Sequence, residues 1–337
     1  MFRRAVASFL FGLTLYAPAD GAAPFYEGKT IKLVVGFSPG GGFDTYSRAI
    51  ARHLGKHIPG NPTVVVENMT GAASLIAANH VYKVAKPDGL TMLNFHGNQV
   101  LNQLIGKPGI EFDARRFEYL GVPTQDNGAC VFTKASGITS YERLKGSKTP
   151  VKMGGVAPGD TTFNTASILK EALQLPIQLV AGYKGTAEIR LAAEGGEVAG
   201  GCWQWESIKS TWQKGLESGA VIPVVQTNAK PHPELKNVTN AIDVAPNEKA
   251  RNLIQFGIHD PGAITRPYAL PPGTPKERVG LLRKAFVETL KDPEFIADAK
   301  KSKLDIDALT GEEVEKIVAG LFKMDPGLVA QLKEILK

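Results

Sequence analysis

The chain has 337 residues, 43% of them hydrophobic and 21% charged, which excludes a disordered or fibrous protein and leaves room for two α/β domains. Its formal charge is +6, and the basic residues are spread among acids rather than gathered with aromatics into a stripe, which argues against nucleic acid as a partner. A mildly basic balance is compatible with small anionic ligands but selects none of them.

The N-terminus, MFRRAVASFLFGLTLYAPADGAAPFY, starts with two arginines, continues in an apolar run from Ala5 to Tyr16 and reaches small residues at Ala17-Pro18-Ala19. That order is a secretory signal peptide, taken as residues 1–23, because the apolar run is too short to cross a bilayer. Cleavage is expected after Ala19 or Ala23. No cysteine follows to carry a lipid anchor, so the mature protein is expected to be exported and free. Export permits a bridge between Cys130 and Cys202, the two cysteines of the chain. Sequence gives no distance between them, and the preferred reading is two buried thiols.

After the leader, strands and helices alternate. Ile31–Phe37 reads as a buried strand, Asp44–His57 as a helix, Thr63–Val66 as a strand and Ala72–Val84 as a helix. The Pro87-Asp88-Gly89 turn then leads to a strand at Thr91–Phe95. The pattern restarts with strands at Val151–Gly154, Ile177–Val180 and Val198–Cys202, separated by helices at Thr161–Leu173 and Thr186–Ala193. Such alternation predicts parallel sheets with helices on both faces. From Pro267 the chain turns helix-rich, with Pro275 suited to a first turn and Leu281, Leu282, Ala285, Phe286 and Leu290 on one face. No flexible linker separates the units, so the chain is expected to cross between them in extended stretches near Tyr119–Thr133 and Val221–Asn228.

Three strand-to-helix turns are rich in small residues. In SPGGGFD, Gly40, Gly41 and Gly42 let bare N–H groups approach a guest, with Ser38 and Phe43 beside them and Asp44 placed to cap the helix. The second turn is Gly71-Ala72-Ala73-Ser74. The third carries Gly155, Asp160, Thr161 and Thr162, whose hydroxyls can bind a carboxylate or simply cap a helix. Free N–H groups and the helix dipole make such turns anion sites at the carboxyl ends of strands. Neither the Gly-Lys-Ser/Thr of a phosphate loop nor the dinucleotide fingerprint is present. Three such turns divided between two units predict a cleft that grips a small anion from both sides.

Trp203 and Trp205 follow a strand and are expected near the same cleft, with at most one of them lining a pocket and the other in the core. Glu206 reads as a first-turn helix acid. Catalytic constellations are absent: no His-Glu-x-x-His, no Gly-x-Ser-x-Gly and no nucleophile with a base. His53 and His57, four residues apart, read as a solvated helix face rather than a metal site. The sequence therefore assigns no catalytic residue, metal or cofactor.

Taken in order, YEGKTIKLVVGFSPGGGFDTYSRAIARHL, PTVVVENMTGAASLIAANHVYKVAKPDGLTM, GYKGTAEIRLAAEGGEV and ALPPGTPKERVGLLRKAFVETLKDPEF resemble the Bug family, the periplasmic solute receptors of tripartite tricarboxylate transporters. The resemblance spans nearly all of the chain after the leader. It implies two Rossmann-like α/β domains joined by crossing strands, the type II periplasmic binding protein (Venus flytrap) architecture. The domains would be residues 24–123 with 229–337, and residues 124–228. It also implies a monomeric, periplasmic, non-enzymatic receptor that captures a small organic acid and delivers it to membrane permease subunits. A receptor that signals to a sensor kinase is the alternative, and a periplasmic enzyme acting on a carboxylate or phosphate ester is a further one. The chain departs from the family pattern at Asn68-Met69-Thr70, at Pro158, Asp160 and Phe163, and at Trp203-Gln204-Trp205-Glu206. An acid at Asp160 would disfavour a second ligand carboxylate and favour an amino or hydroxyl group.

Overall fold

The computed structural model describes residues 23–37, 39–40, 42–183 and 185–336. All but the last residue of the expected signal peptide lies outside them. The first unit runs through β1 (Thr30–Val35), α1 (Gly42–Leu54), β2 (Thr63–Asn68), α2 (Leu75–Lys83), β3 (Thr91–Asn94), α3 (Asn98–Leu104) and β4 (Glu118–Val122). β1 pairs in parallel with both β2 and β3, as strand–helix–strand crossovers require. Ile31, Leu33 and Val35 meet Ile50 and Leu54 of α1 in one core.

The second unit follows with β5 (Gly128–Thr133), α4 (Tyr141–Lys145), β6 (Val151–Gly154), α5 (Thr161–Leu173), β7 (Ile177–Val180), α6 (Thr186–Glu194) and β8 (Gly200–Gln204). It continues through α7 (Trp205–Thr211), α8 (Gln213–Glu217), β9 (Val221–Gln226), β10 (Thr239–Asn240) and α9 (Glu248–Ile254). A π-helical turn at Gln255–His259 joins α9 to α10 (Asp260–Ala263), and both α9 and this turn pack on α5. The chain ends with β11 (Tyr268–Leu270), α11 (Lys276–Lys291), α12 (Pro293–Lys301), β12 (Leu309–Thr310), α13 (Gly311–Leu321) and α14 (Pro326–Ile335). Val279, Leu282, Ala285, Phe286 and Leu290 form the buried face of α11, while Leu281 is only partly buried beside it.

The strands make two six-stranded sheets, ordered β12-β4-β11-β3-β1-β2 and β10-β9-β5-β8-β6-β7. Both are mixed, which corrects the expectation of parallel sheets: β11 lies antiparallel between β3 and β4, and β5 lies antiparallel between β8 and β9. In each sheet the strand by which the chain arrives from the other sheet, β5 or β11, runs against its neighbours. The chain changes sheets between β4 and β5, inside the first stretch expected to cross. The second expected crossing is different. β9 stays within the second sheet, and β10, beyond residue 228, pairs with it in parallel. The return to the first sheet is made at β11. An extended apolar run does not reveal which sheet it will join.

Cys130 and Cys202 are bonded, correcting the reading of two thiols. They are direct partners in the antiparallel β5–β8 pair, so the sheet register supplies the proximity that sequence could not. Among the described residues, no helix is long and apolar enough to cross a membrane.

Candidate functional site

β1 delivers the chain to Gly36, where an added Cβ would stand 2.2 Å from the Ser74 Cβ; only glycine lets the first and second turns touch. Past this contact Phe37 stacks on Phe43 with ring centroids 4.1 Å apart, and the His96 ring lies 5.6 Å from Phe43. Asp44 is 3% exposed and committed to its own loop. It accepts from Gly40 N–H at 2.8 Å, Arg48 Nε at 2.9 Å and Asn68 Nδ2 at 2.9 Å. Burial works against its charge, but these bonds outweigh burial and hold its pKa below the ordinary carboxylate range. Asp44 does not cap α1 from outside but binds back to Gly40 from the first turn of the helix. Ser38 and Gly41 lie outside the described residues.

The second turn is strained. Gly71 has φ 136°, and Ala72, Ala73 and Ser74 follow in the left-handed region at 46°, 50° and 74°. Each such non-glycine residue costs roughly 1–2 kcal/mol, so the conformation must be held from outside. Gln99 Nε2 does this by donating to the Ala72 and Ala73 carbonyls at 3.2 and 2.8 Å, and Ser74 Oγ accepts from His96 N–H at 2.8 Å.

In the third turn Asp160 caps α5, its Oδ1 accepting from Thr162 N–H at 2.9 Å and from Thr162 Oγ1 at 2.5 Å. Thr162 Oγ1 in turn accepts from Val156 N–H, and Gly159 N–H donates to Asn164 Oδ1. Gly155 leaves room for Phe163, whose Cα lies 3.3 Å from where a Cβ would stand. Asp160 and Thr162 thus build the turn. Thr161 instead faces α3, and its Oγ1 accepts from Asn98 Nδ2 at 3.2 Å.

Between the two units lies a cavity of about 280 Å³, lined by Asn98 and Thr265 on one side and by Thr161, Asn164 and Trp203 on the other, with Asp126 at the crossing. It takes in Thr161 and Trp203 from the residues expected at the site. Gly40, Gly42, Phe43, Asp44 and the Gly71–Ser74 turn do not line it. Trp203 stacks on Trp212 at 5.8 Å, and its indole Nε1 is buried without a partner. Trp205 opens α7 and donates from Nε1 to Glu234 at 2.6 Å; it packs in the same core cluster as Trp203, and of the two only Trp203 also lines the cavity. Glu206, in the first turn of α7, is pushed up to about 7 by burial and then by the Asp126 charge.

Sequence reasoning missed Asn98, His96, Asp126 and Arg266. Arg266, just before β11, donates from Nη1 to Asp126 Oδ1, and their side chains are only 13% and 7% exposed. Its guanidinium lies over the rings of Phe43 and Tyr46, at 5.2 and 5.4 Å. These residues come from three separate segments, at the start of α3, between β4 and β5 and before β11, and no local pattern relates them. Loss of hydration lowers the pKa of the half-buried His96 and favours the neutral ring. His53 and His57 do not stand on a bare solvated face: they meet Asp298 at 3.2 Å and Asp292 at 2.8 Å. Lys56 Nζ binds Asp292 and Glu294 at 2.6 and 2.5 Å, so an ammonium already neutralises those carboxylates.

No protein-family model matches the chain. It is 24% identical to a UPF0065 protein, encoded in the gbd 5′ region of Cupriavidus necator, over 98% of this chain and 96% of that one. In fold it is similar to the periplasmic binding protein BugD, with a TM-score of 0.66 and 22% identity over 92% of this chain and 98% of that one. The chain is thus similar over nearly its whole length to a UPF0065 protein, and it shares the fold of BugD. Two further structures share the fold. MatC of Rhodopseudomonas palustris with bound malate has a TM-score of 0.62 and 19% identity, covering 92% and 99% of the two chains. An R. palustris protein with adipate has a TM-score of 0.67 and 22% identity, covering 91% and 98%. The two-sheet arrangement described above is thus the α/β fold of periplasmic binding proteins.

Proposed function

We propose that this protein is a Bug-family periplasmic receptor that captures a small organic acid between its two α/β units. It would present the acid to the permease of a tripartite tricarboxylate-type transporter. The observation that carries this reading is the cavity of about 280 Å³, whose wall is drawn from both units and includes Thr161 at the N-terminus of α5. A ligand held there touches both bodies, and only such a ligand can shift an open–closed equilibrium. The volume suits a molecule with few heavy atoms rather than a nucleotide or a drug-sized ligand. Malate and adipate in the similarly folded proteins favour a dicarboxylate or hydroxy acid.

Capture rests on oriented dipoles and neutral donors. The α5 N-terminus, Asn98, Asn164 and Thr161 offer hydrogen bonds to a carboxylate without adding mobile charge. The moving bodies in this reading are the two sheets with the helices packed on them, joined at residues 123–127 and at the entry to β11. The chain itself would be exported, monomeric and without catalytic activity.

The test is thermal unfolding of the protein, stripped of ligand by unfolding and refolding, against succinate, malate, adipate and related acids. A true ligand at one hundred times its Kd should add about 2.7 kcal/mol of stability. Trp203 fluorescence should change with the same acid, since its ring lines the cavity. A panel without any shift would remove the small-acid reading.

A further inference from the structure

The ion pair between Arg266 and Asp126 is incomplete in a specific way. A guanidinium and a carboxylate can satisfy each other with two parallel bonds. Here one bond forms, from Nη1 to Oδ1, and both Arg266 Nε and Asp126 Oδ2 are buried without a partner. The pair is nearly out of water, where such leftover atoms are most costly.

The placement of the guanidinium is also unusual. A Cβ on Gly42, the first residue of α1, would stand 3.6 Å from Arg266 Nη2 and 3.9 Å from Nε. A cation at a helix N-terminus opposes the helix dipole, and two positive groups facing one point are stabilised by an anion between them. Asp126, which lines the cavity, meets this guanidinium at Nη1, while Nη2 and Nε are the atoms nearest Gly42. Asp126 also belongs to the segment joining β4 to β5, where the chain passes from one unit to the other.

We infer that Arg266 is the anchor for the ligand's carboxylate, and that Asp126 holds this anchor until the ligand's carboxylate replaces it. The exchange lets the incoming group complete the fork on Nε and Nη at the start of α1, and it frees the crossing segment from the first unit. Arg266 then determines that the ligand is an acid. Asp126 sets how strongly the acid must compete. The inference takes its ligand class from the receptor reading above but tests a different property, the exchange of carboxylates at one arginine.

Two measurements on the refolded mature protein decide it. The first uses formate alone as a stand-in for the missing side chain. Formate should raise the unfolding midpoint of Asp126→Ala and leave Asp126→Ala/Arg266→Gln unmoved; Asp126→Gly serves if the alanine variant does not fold. Absence of an Arg266-dependent formate effect overturns the inference, even if the wild type binds organic acids. The second is calorimetry with the same acid panel. Asp126→Asn, which keeps the shape and removes the competing charge, should bind about tenfold tighter than wild type. Arg266→Gln should bind about a hundredfold weaker. Equal weakening in both variants means that the pair merely builds the site, and it overturns the exchange. A formate effect with no acid bound by any variant would sustain the exchange and remove the small-acid receptor reading.

Discussion

Asn98 Nδ2 donates to Thr161 Oγ1 across 3.2 Å, tying α3 of the first unit to the start of α5 in the second. Both residues line the cavity, so a single neutral hydrogen bond bridges the two bodies beside the proposed ligand. Its net worth is about 1 kcal/mol, enough to bias an open–closed equilibrium without locking it. Asn98→Ala should therefore raise the Kd for the bound acid roughly fivefold by calorimetry and leave the unfolding midpoint nearly unchanged. Unaltered affinity would mean that the bond does not contribute to the closed state.

Gly36 holds the first two turns together by having no side chain. Gly36→Ala places a Cβ 2.2 Å from the Ser74 Cβ and 2.9 Å from its Cα, at a residue already held at positive φ. Overpacking of this kind costs roughly 1–3 kcal/mol, and backbone on one side leaves little room to relax. A lower midpoint in denaturant unfolding, with an unchanged slope, is the expected result.

The Cys130–Cys202 bond closes a loop with a sequence separation of 72 residues inside the second sheet. Removing it in Cys130→Ser/Cys202→Ser should cost roughly 2–4 kcal/mol, measured at equilibrium in urea. Reductant should lower the wild-type midpoint toward that of the double variant and leave the variant unmoved. If wild type and variant unfold together under oxidising conditions, the bond contributes no stability.

Glu206 makes stability depend on pH with a definite sign. Burial raises its carboxyl from 4.5 to about 7, so the folded protein holds a proton that the unfolded chain releases. Its contribution is full below pH 4.5 and is lost as pH rises through about 7, amounting to at most roughly 3 kcal/mol. Glu206→Gln, neutral throughout, should flatten the unfolding profile between pH 5 and 8 and be the more stable protein at pH 8. A parallel profile in wild type and variant would exclude Glu206 as the source.

Much of the architecture was determined by local sequence. The apolar runs of β1, β3, β6 and β7 and the periodic faces of α5 and α11 have lengths and spacings that permit few alternatives, because burying such surfaces requires strand or helix. The glycine and small-residue turns were equally visible, since few other residues allow those backbone paths. What Asp44, Asp160 and Thr162 do with their side chains was not. Each could bind a guest or its own loop, and only the folded loop shows the bonds to Gly40, Val156 and Thr162 already made. Tertiary structure alone decided the disulfide, through the register of β5 on β8, and the mixed sheets, through the return of the chain at β11. It also decided the meeting of Arg266 with Asp126 and Gly42. Their separation along the chain leaves no periodicity to read, and their chemistry depends on loss of water, which occurs when the two sheets and their helices pack together.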